Sequence, residues 1–265
     1  MSLTEINIRE KEFHNKLQSK SKGRFENIFY KALYNMYEDF SALTSRKAKN
    51  KVVLDYGCGA GNVSQKIAAS HPLKLFGIDI SEVSINNAIE NAKKLNLQIN
   101  YSVDNCEETK FNAETFDLVF GSGILHHLNL EKSVSEINRI LKNNGEMIFL
   151  EPLGTNPLIN FYRLLTPKSR SKDEHPFLKK DFDYISSLFK EVKVEYYGFF
   201  TLVFFLFYQN PKKSLMFKMV SRLDRYFFKI KYFKSLAWSV LIIAKKIKRH
   251  FSFFLQVLGS FQKVL

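Results

Sequence analysis

Cysteine is scarce in this chain of 265 residues: Cys58 and Cys106 are the only two. Two thiols make neither a disulfide framework nor a metal cluster, so a reducing compartment is the default. The segment Met1–Lys20 lacks an apolar stretch, which argues against a secretory signal and for a cytoplasmic protein. A run long enough to span a bilayer is also missing. The nearly uninterrupted apolar stretch Phe199–Tyr208 would reach only ~15 Å as a helix, against a hydrocarbon core of ~30 Å. Acid is almost absent from the last quarter. Residues 209–265 hold 13 Lys/Arg and one acid, Asp224, for a net charge of +12, whereas residues 1–208 carry +2. No internal repeat or low-complexity segment stands out.

What is present points to a sizeable core, with 45% apolar and 15% aromatic residues. The basic C-terminal quarter also holds eleven aromatics. Cationic and aromatic residues together suit an anionic membrane surface better than a nucleic-acid backbone.

Strand and helix patterns alternate from Lys51 onward. Lys51–Asp55, Leu73–Ile80, Ile99–Val103, Thr115–Gly121 and Glu146–Leu150 read as short buried strands. Between them Asn62–Ser70, a helix capped by Ser81, and Leu130–Leu141 show helical spacing. Such repeats predict a doubly wound α/β fold, a parallel sheet covered on both faces. Its ligands sit outside the carboxyl ends of the strands, where the polar clusters of this chain fall.

The first strand runs into Gly57-Cys-Gly-Ala-Gly61, where glycines let the backbone turn sharply and approach a ligand. A dinucleotide fingerprint would place its third glycine at 62, which is Asn. Here an acid, Asp55, precedes the first glycine by two residues. It would repel a pyrophosphate and can help to hold a cationic amino-acid group. Asp79 ends the second strand, where a carboxylate can accept both hydroxyls of a ribose, or can merely cap the next helix. Ile80 could cover one face of an adenine. Asp104-Asn105 follows the third strand, where a carboxylate and an N–H could read the adenine edge.

VLDYGCGAGN, GIDIS, SVDNCEE, FDLVFGSGILHHL and LKNNGEMIFLEP, in this order and spacing, resemble the class I S-adenosylmethionine-dependent methyltransferases over roughly residues 51–152. The resemblance implies a seven-stranded sheet of order 3-2-1-4-5-7-6 with the last strand antiparallel, and S-adenosyl-L-methionine as cofactor. It also implies that Asp55, Gly57 and Gly59 surround the methionine arm and that Asp79 binds the ribose, with Ile80 against the adenine. Asp104 and Asn105 would meet the adenine edge, and Gly121 would pass close to the sulfonium. Residues 151–177 look more loosely like bacterial small-molecule methyltransferases of lipid, quinone or glycan pathways.

Methyl transfer needs alignment and exclusion of water, and a base if the acceptor is a hydroxyl. The [DNS]-P-P-[YFW] motif of base-amine methylation is missing: Gly121-Ser-Gly-Ile124 stands in its place. Neither cysteine sits where cytosine C5 methylation would need a nucleophile. The acceptor is therefore expected to be a small or lipid-linked molecule, methylated at oxygen, and nucleic acid is not the expected partner. His127 and His126, just past the fourth strand, are the candidates for base or acceptor holder. His175, in Asp173-Glu-His-Pro176, is a third, unless Asp173 and Glu174 only cap the helix that follows.

Residues 1–50, with a helical pattern around Phe25, Ile28, Phe29, Leu33, Tyr34 and Tyr37, are expected to form a lid or a helix on the sheet edge. The core runs over 51–197, ending in a sixth strand, Glu191–Tyr197. An insertion follows over 198–236, then a closing strand and basic tail over 237–265, all within a single domain. Phe199–Tyr208 could be core, substrate lid or membrane-dipping hairpin. Met216, Met219, Val220, Leu223 and Phe227 make an apolar stripe opposite Lys218, Arg222, Arg225 and Lys229. This and the stretch from Lys245 through Phe251–Leu255 suggest peripheral binding to the inner face of a membrane, or else lid helices with a solvated basic face. An RNA methyltransferase and a non-catalytic cofactor-binding scaffold remain as alternatives.

Overall fold

The computed structural model describes residues 4–18, 28–167, 171, 173–207 and 210–247. Seven strands form one sheet of order β3-β2-β1-β4-β5-β7-β6. In chain order they are β1 Val52–Tyr56, β2 Lys74–Asp79, β3 Asn100–Val103, β4 Phe116–Ser122, β5 Leu141–Pro152, β6 Glu191–Tyr197 and β7 Ser239–Lys245. The first five pair in parallel, while β7 runs antiparallel between β5 and β6. This is the sheet expected above.

Nine α-helices accompany the strands among the described residues: α1 Glu5–Gln18, α2 Tyr34–Ala48, α3 Asn62–Ala68, α4 Glu82–Lys94, α5 Leu130–Ile140, α6 Pro157–Leu165, α7 Lys179–Leu188, α8 Phe200–Val203 and α9 Leu215–Phe227. One face of the sheet packs Val53, Leu118 and Ile148 against Met36 and Phe40 of α2 and Ile67 of α3. The other packs Leu54, Val119 and Phe149 against Val134 and Ile137 of α5 and Ile185 of α7. Near-continuous apolar strands between two helical layers suit the parallel pairing of β1, β4 and β5, which are largely buried on both faces, whereas the edge strand β3 is mostly exposed.

Several local readings change. Ser81 caps α4 as expected, its side chain accepting from the Ser84 N–H at 3.0 Å. The turn at 143–145 does not precede β5 but lies inside it: Asn144 takes φ 63°, and the register slips between Phe116↔Leu141 and Leu118↔Glu146. Phe199–Phe207 is not one helix. It breaks at Phe204 into α8 and a 3-10 turn, Phe205–Phe207. Asp224 of α9 sets the start of α8, accepting from the N–H of Phe200 at 2.7 Å and the hydroxyl of Thr201 at 2.9 Å. Leu33, Met36 and Phe40 are buried, whereas Phe25 and the side chains of Ile28 and Phe29 lie outside the described residues. Lys246 is no surface cation: its ammonium donates to the carbonyls of Asn138 and Leu141, both at 2.7 Å. The rest of the basic tail, from 248 on, is also outside the described residues.

Candidate active site

The carboxyl ends of β1, β2, β3 and β4 meet at the crevice where strand order reverses, the usual ligand position in such sheets. Gly57, Gly59 and Gly61 all take positive φ, 72°, 52° and 79°, which only glycine adopts cheaply. A Cβ on Gly59 would meet nothing within 4 Å, so open space lies beside it. Its N–H donates to Asp79 Oδ2 at 2.9 Å, and Ser81 N–H donates to Asp79 Oδ1 at 2.9 Å. Asp79 is thus clamped at the end of β2, with its carboxyl pushed up by burial against these hydrogen bonds.

Asp55 is buried under the turn and accepts from the Ser64 N–H at 3.1 Å, in the first turn of α3. A carboxylate there complements the helix dipole. Burial outweighs that support and, with Asp79 nearby, lifts the Asp55 carboxyl to about 7. Asp104, also buried, accepts from Asn105 N–H and Lys110 N–H, both at 3.0 Å, and Asn105 Oδ1 accepts from Glu107 N–H. Their side chains organise the loop after β3. Ile80 is half-buried directly after β2. Gly121 has a packing reason of its own, because a Cβ there would come within 2.6 Å of Phe149 and 2.7 Å of the Tyr56 carbonyl.

Beyond β4 the chain forms a 3-10 turn, Leu125–His127, with both histidines buried and their rings 4.0 Å apart. Glu151, near the carboxyl end of β5, holds this turn. Its carboxylate accepts from Ile124 N–H at 3.2 Å and Leu125 N–H at 2.9 Å, and lies 2.7 Å from His126 Nδ1. Burial lifts this carboxyl to about 7 in spite of these bonds. His127 Nδ1 lies 3.2 Å from Glu10 Oε2 and 3.3 Å from Ser171 Oγ.

Glu10 belongs to α1, which spans the crevice. At one margin Arg9 donates twice to Asp173, at 2.8 and 2.9 Å. At the other, Lys11 pairs with Glu82 at 3.0 Å and Asn15 Oδ1 accepts from the Ser81 hydroxyl at 2.5 Å. Asp173 is therefore held by α1, and the N–H that opens the helix after Phe177 finds another acceptor. That acceptor is Asp181, which takes the Leu178 N–H at 2.7 Å and also draws off His175 Nε2 at 3.3 Å. His175 joins the histidine pair only by its backbone, donating to the His126 carbonyl at 2.7 Å. Glu10 and Glu151 were not singled out from sequence. Glu151 stands in the quoted LEP segment at a strand end, a detectable signal, whereas nothing in sequence ties Glu10 to His127.

Residues 53–145 match the family described as a methyltransferase domain. The ubiquinone biosynthesis O-methyltransferase of Pelagibacter ubique is 36% identical over 118 residues, 43% of this chain and 47% of that protein. The chain thus spans about half the length of the curated relatives it matches. Among solved structures, phosphoethanolamine N-methyltransferase 2 of Haemonchus contortus, bound to S-adenosylhomocysteine, overlays 80% of this chain and 53% of its own with a TM-score of 0.60 at 18% identity. Geranyl diphosphate C-methyltransferase of Streptomyces coelicolor overlays 81% and 79% with a TM-score of 0.59 at 14% identity. At such identities these two speak for the fold alone. The glycine turn with open space beside it and a clamped acid at the end of β2 fit a cationic, ribose-bearing cofactor. Sheet order, domain match and relatives agree: residues 53–145 match a methyltransferase domain, set in the sheet of the class I S-adenosylmethionine-dependent methyltransferase fold.

Proposed function

We propose that the protein methylates a hydroxyl oxygen on a small or lipid-linked acceptor, with His127 as the general base. The observation that carries this reading is the position of His127: buried past β4, beneath α1, with carboxylate and hydroxyl partners in reach. The oxygen acceptor follows the relative named for O-methylation in ubiquinone biosynthesis. When bound, S-adenosylmethionine supplies a methyl group on a cationic sulfur.

This chain's residues do the rest. Asp79 receives the ribose hydroxyls, Ile80 covers the adenine, and Asp104 with Asn105 shapes the pocket for its edge. Asp55 and the turn at Gly57 and Gly59 take the methionine arm, and Gly121 lets β4 pass close to it. Glu151 and His126 hold the turn that presents His127, which accepts the hydroxyl proton as the oxygen attacks. Lid α1 excludes water and keeps the acceptor in line. In this reading residues 1–50 are the lid, 51–197 the core, and 198–236 with 237–265 the acceptor side, working at the cytoplasmic face of a membrane.

The test is incubation with methyl-labelled S-adenosylmethionine and a total lipid extract, followed by partition into organic solvent. Label should enter an ether linkage in the organic phase, and His127→Ala should abolish most of it. Label on nitrogen, or transfer indifferent to His127, would sink the oxygen chemistry. Cofactor binding without transfer to any fraction would leave the scaffold reading instead.

A further inference from the structure

Strand pairing places the segment between β6 and β7 at the mouth of the site. Ser239 of β7 pairs with both Pro152 of β5 and Tyr197 of β6. The insertion therefore leaves and re-enters the sheet at the carboxyl end of β5 and β6, the end that carries Asp79, Asp104 and His127. Its helix α9 then divides into three faces at about 100° per residue. Phe217, Val220, Ser221 and Asp224 are buried against the body of the protein. Lys218, Arg222 and Arg225, with Lys229 just past the helix end, form a second, exposed face.

The third face is apolar and exposed as well. Leu215, Met219, Leu223 and Tyr226 follow one another at helical spacing, and each is more than half exposed, up to 72% for Leu215. The apolar stripe read from sequence opposite the basic one is thus divided, with Val220 buried and Met219 and Leu223 exposed. The core is also met by Phe217 and Asp224, and most of the apolar stripe is left in solvent. Leu206 and Phe207 of the same insertion are each 70% exposed as well, and the start of α8 is tied to α9 through ring contacts of Phe199 and Phe200 with Phe227.

We propose that this face of α9 is a docking surface for an anionic lipid bilayer, lying in the plane of the interface beside the acceptor entrance. An apolar stripe flanked by cations is the pattern of an in-plane interfacial helix. Charge decides between occupants. Asp224, the only acid in residues 209–265, is turned inward and spent on capping α8, so the outer surface of α9 carries no acid of its own. Arg225 pairs with Asp39 at 3.3 Å, leaving Lys218, Arg222 and Lys229 as the cations that face an anionic surface. A second copy of this face would cover the apolar residues but bring no acid to the cations beside them. A phosphate backbone would satisfy the cations and leave Leu215, Met219 and Leu223 in water. Anionic headgroups over acyl chains satisfy both faces together. The inference rests on the proposed acceptor only for its purpose, delivery of a lipid-linked molecule to His127.

The test uses the full chain, vesicles of phosphatidylcholine alone, and vesicles carrying about one quarter phosphatidylglycerol. A charge variant, Lys218→Gln/Arg222→Gln/Lys229→Gln, and an apolar variant, Leu215→Ser/Met219→Ser/Leu223→Ser, alter only exposed side chains. Both should keep the parent's melting temperature and S-adenosylmethionine affinity. The parent should sediment with the anionic vesicles. The charge variant should bind about tenfold more weakly or worse, and the apolar variant should lose the fraction that resists added salt. A parent that stays in the supernatant with both vesicles overturns the proposal, as does binding that neither variant weakens. Self-association abolished by the apolar variant would make the face a protein contact and overturn it too. Vesicle binding without cofactor binding would instead count against the enzymatic reading, so the two fail separately.

Discussion

In the proposed site, Asp55 should make cofactor affinity depend on pH in a direction that can be worked out. Burial holds its carboxyl at about 7 in the free protein, so near pH 6 roughly nine-tenths of the molecules carry it protonated. A sulfonium and an ammonium arriving above the turn favour the ionised form, and binding should expel the proton. If the bound carboxylate stays ionised throughout, affinity follows the ionised fraction. That fraction rises about tenfold between pH 6 and pH 8, or about 1.4 kcal/mol. Asp79 is also raised by burial and changes affinity in the same sense, so the slope should not be smaller. Calorimetry of S-adenosylmethionine binding in two buffers of different protonation enthalpy reads affinity and proton release together. At pH 6 close to one proton should leave per ligand, and Asp55→Asn should remove most of the dependence. The same shift acts on stability with the opposite sense. A carboxylate raised on folding favours the native state below its unfolded pKa, and that share is lost as pH rises to about 7. Affinity that is flat from pH 6 to pH 8, or a slope unchanged in Asp55→Asn, would refute the placement of Asp55 beside the methionine arm.

Asp79→Ala should weaken S-adenosylmethionine binding by about 1.5–3 kcal/mol, the range for hydrogen bonds to a charged group, with calorimetry as the check. His127→Ala should lower turnover on a responsive acceptor and leave cofactor affinity within about twofold, because the role assigned to it is proton transfer. Lost affinity with turnover per bound complex intact would make it structural. Glu151→Ala strips the acceptor from the N–H groups of Ile124 and Leu125 in a buried setting. It should cost about 1–3 kcal/mol per unpaired group, read as a lower denaturation midpoint.

The local geometry of the proposed cofactor side was legible because its parts are close in sequence and each carries a local signature. The glycine turn at 57–61, the strand-ending acids and the Ser81 cap all lie between Val52 and Lys110, and each follows from a strand that stops and a helix that starts. Apolar period, length and turn residues fixed six of the seven strands to within two residues. The exception, β5, swallowed the turn at 143–145, because a bulge lets Asn144 N–H donate to the Lys246 carbonyl without ending the pairing. Helix α9 was only half legible, because periodicity marks an apolar face but not whether protein or solvent covers it, and here Asp224 is turned inward to accept from the N–H groups that open α8.

The acceptor side was hidden because its parts come from distant segments. His127 follows β4, Glu151 ends β5, Ser171 and Asp173 follow α6, and Arg9 and Glu10 lie on α1. Only the folded chain shows that α1 carries a carboxylate to His127 while Arg9 ties the same helix to Asp173. The consequence is chemical as well as geometric. In the proposed reaction, α1 moving aside for an acceptor would take Glu10 with it, and its return would restore that partner of the imidazole. The residues proposed for the cofactor thus lie in one short stretch, whereas those proposed for the acceptor come from parts of the chain outside it, at the end of the sheet from which the segment carrying α9 leaves β6.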